Sequence, residues 1–80
     1  MSAEQGYPLA QYNLGVMYYN GKGVEKNIIN GFMWVNLSSL NGDDDGEKLK
    51  NILLKEMTEI QIDKANIMTK NCMKKNFKKC

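Results

Sequence analysis

A glycine stands in the middle of the clearest helical pattern in this chain, LAQYNLGVMYYNGKGV. Ala10, Leu14, Met17 and Tyr18 recur at spacings of four, three and one, the period of a helix rather than of a strand. Gly15 inside that period costs about 1 kcal/mol relative to alanine. A second helix crossing closely at this point would recover the loss in packing, and Trp34 is the bulky side chain expected to fill the notch. The chain is therefore expected to fold as paired helices that nest at a glycine.

The remaining segments read as helices too. Pro8 suits a first helical turn, where its missing N–H would have had no partner. Gly21 and Gly23 end the first helix and admit positive φ in the turn. Asn27 is a good N-cap for IINGFMWVNLSSL, which Gly42 then stops. A third segment is predicted from Asp45 or Gly46 to Glu56, with Leu49, Ile52, Leu53 and Met57 along one face. Asp44 and Glu47 have the spacing of a capping box, as do Thr58 and Gln61 at the start of a fourth helix. That helix is expected to reach about Phe77, with Ile62, Ala65, Met68, Cys72 and Met73 roughly on one side. The fold class is all-α: two antiparallel helix pairs, four helices in all. AEQGYP and SLNGDD align at an offset of 36 residues, each with its glycine just before a new helix. Repeated helix-turn-helix units of this length build α-solenoids. At 80 residues and 42% hydrophobic content, residues 1–80 make one small domain.

Few tools of catalysis are present. Histidine is absent, which removes Ser–His and Cys–His nucleophile pairs and the commonest zinc ligand. No glycine-rich phosphate loop, G-x-S-x-G or S-x-x-K occurs either. No catalytic residue and no cofactor is expected. The stretch NGDDDGE begins as an EF-hand loop would, with oxygen-bearing side chains at Asn41, Asp43 and Asp45 and then Gly46. The twelfth position, where a bidentate glutamate belongs, is Ile52, assigned above to an apolar helix face. These acids are instead expected to sit at a helix N-terminus, where negative charge interacts favourably with the dipole. No metal site is predicted. Cys72 and Cys80 would lie about 12 Å apart along a helix, beyond the roughly 7 Å that a disulfide spans; they could pair only if the terminus frays or across two chains, and free thiols are expected. Residues 63–80 carry net +5 and residues 1–62 net −3. With arginine absent, the lysines read as a solvated helix end and not as a nucleic-acid surface. The opening MSAEQGYPLAQ shows no signal peptide, and no apolar run could span a bilayer, so a cytoplasmic protein without membrane contact is expected.

The stretch AQYNLGVMYYNGKGV closely resembles the Sel-one-like repeat, a relative of the tetratricopeptide repeat, whose pattern runs A-x-x-x-L-G-x-x-Y-x-x-G-x-G-V. Ala10, Leu14, Gly15, Tyr18, Gly21, Gly23 and Val24 fit its first half, and Trp34 and Gly42 fit its second. Gly31, Ser38 and Ser39 stand where the family usually has alanine. The segment MTEIQIDKANIM is similar to the closing segment of bacterial members. The resemblance implies a TPR-like α-solenoid fragment: residues 3–42 as a complete repeat, residues 43–80 as a divergent helix pair forming a C-terminal cap. It also implies a scaffold for protein–protein contact. Cysteine-rich members of the family are linked to β-lactam binding and hydrolysis. This chain departs from them, having no cysteine before Cys72.

Tyr12, Val16 and Tyr19 form a second apolar stripe on the first helix, opposite Ala10, Leu14 and Tyr18. In a solenoid such a stripe faces a preceding repeat or a ligand, and SAEQG resembles the end of a repeat whose body is missing. Two readings stay open. The tyrosines are expected either to fold onto the N-terminal residues or the third helix, or to bind a peptide, another protein or a second copy of the chain.

Overall fold

The computed structural model describes residues 2–80. A short 3-10 turn (Ser2–Gln5) leads into α1 (Pro8–Asn20), followed by α2 (Ile28–Leu40), α3 (Asp44–Glu56) and α4 (Glu59–Lys74). There is no strand among the described residues, and no helix among them is long and apolar enough to cross a membrane.

The helix boundaries follow local chemistry. Pro8 opens α1, and Gly21 closes it in the left-handed conformation, φ 70°, with its N–H donating to the Met17 carbonyl. Few side chains other than glycine adopt that angle without strain. The Asn27 N–H then donates to the Tyr18 carbonyl at 2.9 Å, tying the start of α2 back onto α1. The Asn27 side chain accepts from the N–H groups of Ile29 and Asn30, each at 3.1 Å. Thr58 and Gln61 make a reciprocal capping box at the start of α4.

The first turn of α3 differs from expectation by one residue. Its cap is Asp43, whose carboxylate accepts from the N–H groups of Asp45 and Gly46, instead of the Asp44–Glu47 pair. From Asp44 onward the chain is helical. The residues that would form most of an EF-hand loop are therefore wound into α3.

Every residue of α2 from Gly31 to Ser38 is buried. A helix covered on all sides has neighbours all round it, and here α1, α3 and α4 each pack on α2. The interior falls into two clusters. Leu14, Met33, Trp34, Leu37 and Cys72 form one with Ala3. Phe32, Val35, Leu53, Met57 and Ala65 form the other.

The α1–α2 crossing is closer than a Trp34-filled notch would allow. A Cβ on Gly15 would lie 2.5 Å from the Val35 Cγ2 and 2.9 Å from the Gly31 carbonyl oxygen. A Cβ on Gly31 would in turn lie 3.0 Å from the Gly15 carbonyl oxygen. Two glycines meet backbone to backbone, and Trp34 packs to one side with Leu14 in the first cluster. Gly31 is thus a packing residue, and its low helix propensity is offset by that contact.

Four further expectations need correction. Ile52 is 54% exposed, because it sits about 100° round the helix from Leu53, and α2 covers only the Leu53 side. Met73 is 47% exposed, and Thr69 takes its place on the buried side of α4. Cys72 and Cys80 are joined in a disulfide with their Cα atoms 5.5 Å apart. The helix stops at Lys74 instead of Phe77, and Asn76, Phe77 and Lys79 take positive φ. The tail therefore doubles back, and a helical spacing does not apply to the pair.

Candidate interaction face and its supports

The motif residues build the scaffold that presents α1. Leu14 and Trp34 are buried together, with Ala10 and Tyr18 packed against them. Gly21, Gly23 and Gly42 take the positive φ values at the two connections. This leaves the opposite side of α1, where Tyr12 and Val16 are both half-buried. Leu9, three residues before Tyr12 and so on the same side, is 63% exposed.

Tyr19, the third member of the stripe, is placed differently. It packs against the second cluster, and its hydroxyl donates to both carboxylate oxygens of Glu56, at 3.1 and 2.9 Å. Donation to a carboxylate favours the protonated phenol, so the hydroxyl pKa is raised above its ordinary value, with burial adding to the shift. Both residues lie near the C-terminal ends of their helices. The bond therefore joins α1 to α3 where the two otherwise meet only narrowly. The structure separates the stripe into Tyr12 and Val16 on the face and Tyr19 at its border.

Two clefts open elsewhere on the surface. One, about 480 Å³, borders the α1–α2 turn and is lined by Tyr18, Val24, Glu25, Lys26, Asn27 and Asn30. The other, about 170 Å³, lies beside the disulfide. Neither is lined by Tyr12, Val16 or Tyr19.

Buried polar side chains fix how the helices sit, and the sequence reading did not find them. The Gln11 amide donates to the Ala3 carbonyl at 3.2 Å and accepts from Asn41 at 2.9 Å. It thereby pins both the N-terminal turn and the end of α2 to α1. Asn36 donates to Thr69 at 3.3 Å, and the Thr69 hydroxyl donates to the Ala65 carbonyl at 2.8 Å. That pair sets the register of α4 on α2. Ser38 donates to the Val35 carbonyl at 2.7 Å and faces Gly46, where an added Cβ would run into the Ser38 hydroxyl. A signal did exist for Asn36: it is a polar residue within the apolar run FMWVNL, and such a residue must find a partner when buried.

The family model described as Sel1 repeat matches residues 8–43. This stretch, α1, α2 and the connections around them, is accordingly a Sel1 repeat, and the four helices form a TPR-like fragment of a helical solenoid. Sel1 repeats are helical modules of protein–protein interaction. No curated protein matches the chain at a significant level.

Proposed function

We propose that the chain is a non-catalytic adaptor that holds a segment of another protein against α1, on the face formed by Leu9, Tyr12 and Val16. Tyr19 borders that face, and residues 43–80 serve as a C-terminal cap on the repeat. The observation that carries this reading is the narrow meeting of α1 and α3. The Tyr19–Glu56 bond closes one end, while the apolar side chains toward the start of α1 keep a share of their surface in solvent. Half-buried aromatic side chains bind at low entropic cost, since part of their motion is already lost.

The test is selection of peptides from a random display library against the intact chain, followed by chemical-shift mapping. Selected peptides should perturb Leu9, Tyr12 and Val16. Tyr12→Ser should weaken them by about tenfold, roughly 1.4 kcal/mol, with the helical circular-dichroism signal unchanged. Peptides that map to other faces and ignore Tyr12→Ser would reject the reading. Sedimentation over a concentration series tests a second copy as the occupant: self-association abolished by Tyr12→Ser would identify it.

A further inference from the structure

The C-terminal tail is fastened at both ends of a short path. Phe77 packs on the first cluster, and its ring lies over Gly6, where an added Cβ would come within 3.1 Å. The Phe77 N–H donates to the Cys72 carbonyl at 2.9 Å. The Lys79 N–H reaches the Glu4 carboxylate at 3.4 Å. Three tail residues other than glycine, Asn76, Phe77 and Lys79, hold φ of 54°, 66° and 57°. Asparagine visits that region readily, but phenylalanine and lysine stay in it only when their surroundings hold them there. The covalent link among those surroundings is the Cys72–Cys80 bond.

The two sulfurs of that bond are not equivalent. Cys72 is 2% exposed within the core, while Cys80 is exposed. Both line the cleft of about 170 Å³, together with Lys75 and Lys79. Exchange proceeds by attack of a thiolate on an accessible sulfur, and nearby lysines favour the anionic partners of the reaction.

We propose that Cys80 is a site of reversible thiol–disulfide exchange with small thiols that carry carboxylates, and that the exchange releases the tail. The external thiolate attacks the Cys80 Sγ. The bond to Cys72 breaks, Cys72 departs as a thiolate and takes a proton from water, and Cys80 holds the mixed disulfide. A second external thiolate then attacks that mixed disulfide at the external sulfur, forming the external disulfide and freeing Cys80 as a thiolate, which is protonated by water. Two external thiols are thus oxidised by two electrons, and the protein disulfide is reduced to two thiols. Lys75 and Lys79 attract the carboxylates of the incoming thiol, and the depth of Cys72 directs attack to Cys80. Once the bond opens, Phe77 and Lys79 lose their covalent anchor, and with them Gly6 and Glu4 lose their cover.

The experiment uses the full chain, treated with glutathione, quenched in acid and mapped by peptide mass spectrometry. The adduct should fall on Cys80 at least about tenfold over Cys72. Amide exchange should quicken at residues 3–6 and 76–80 while the α1–α2 crossing stays protected. In the double variant Lys75→Gln, Lys79→Gln, the rate with glutathione should drop severalfold relative to the rate with mercaptoethanol, which carries no charge. Equal labelling of the two cysteines, unchanged exchange in both terminal segments, an unaltered rate ratio, or two free thiols in the air-oxidised chain would each overturn the proposal.

Discussion

Both the α1–α2 and the α2–α3 contacts close at a glycine, yet the two glycines face different things. Besides the Val35 Cγ2 at 2.5 Å, Gly15 faces backbone: the Gly31 carbonyl oxygen lies 2.9 Å and the Val35 amide nitrogen 3.0 Å from where its Cβ would be. Gly46 faces chiefly a side chain, the Ser38 hydroxyl, with the Ser39 amide nitrogen farther off at 3.1 Å. Backbone packed inside two helices cannot move aside without shifting a whole helix, whereas a serine can be shortened. The repeat is therefore held by what its residues lack, and the following helix by a pair of residues that could be exchanged together. The same contrast runs through the rest of the molecule. The repeat half crosses without polar aid at its notch, while α4 is registered on α2 by the Asn36–Thr69 hydrogen bond.

The sharpest way to break this comparison is Gly15→Ala. Helix propensity alone predicts a gain of about 1 kcal/mol. Overpacking against immobile backbone should reverse the sign and leave a net loss of roughly 2 kcal/mol in urea unfolding. Adding Val35→Ala should recover little of it, since the Gly31 carbonyl remains 2.9 Å from the new methyl. A neutral or stabilising Gly15→Ala would show that the crossing is looser than described.

Gly46→Ala should cost less, about 1 kcal/mol, and should be largely rescued by Ser38→Ala. A double-mutant cycle should give a coupling of about 1 kcal/mol for Gly46 with Ser38, larger relative to the single loss than for Gly15 with Val35. Equal fractional rescue at both contacts would erase the distinction between them. Thr58→Ala removes the cap of α4 and should cost up to about 1 kcal/mol. Faster amide exchange should be confined to the first turn of α4, leaving α2 protected.

The smallest effects are pH-dependent and mark the borders of the two halves. The Tyr19 phenol is raised by its bond to Glu56. The stabilisation from that bond is fully present below the ordinary value of 10.0 and is lost as pH rises through the raised value. Glu56→Gln should return the Tyr19 absorbance titration toward 10.0. Glu4 is lowered, chiefly by the Lys79 N–H. Its contribution is present above the ordinary 4.5 and is lost as pH falls through the lowered value. Titration of the Glu4 carboxylate by NMR checks the direction.

Much of the architecture was legible in the residues because it is written in local terms. Pro8, Gly21, Asn27 and the Thr58–Gln61 pair act within a single turn, and α2 runs over the very residues its pattern indicated. The candidate face was legible only in part. The spacing of Tyr12, Val16 and Tyr19 puts them on one side of α1, but it carries no information about Glu56, a residue 37 positions away that accepts from the Tyr19 hydroxyl. Gln11 was hidden for the same reason: its two partners, Ala3 and Asn41, come from separate elements.

The sequence by itself determined that four helices form, roughly where each begins, and that α1 must be crossed closely at Gly15. Only the tertiary structure decided that Gly31 and Val35 fill that crossing, that Thr69 and not Met73 turns inward, and that Cys80 comes back to Cys72. The physical reason is range. Spacing and capping act over three or four residues and set which side chains share a side of a helix. Which side is covered, and by what, depends on neighbours brought together by folding, and three of those neighbours here converge on the single buried helix α2.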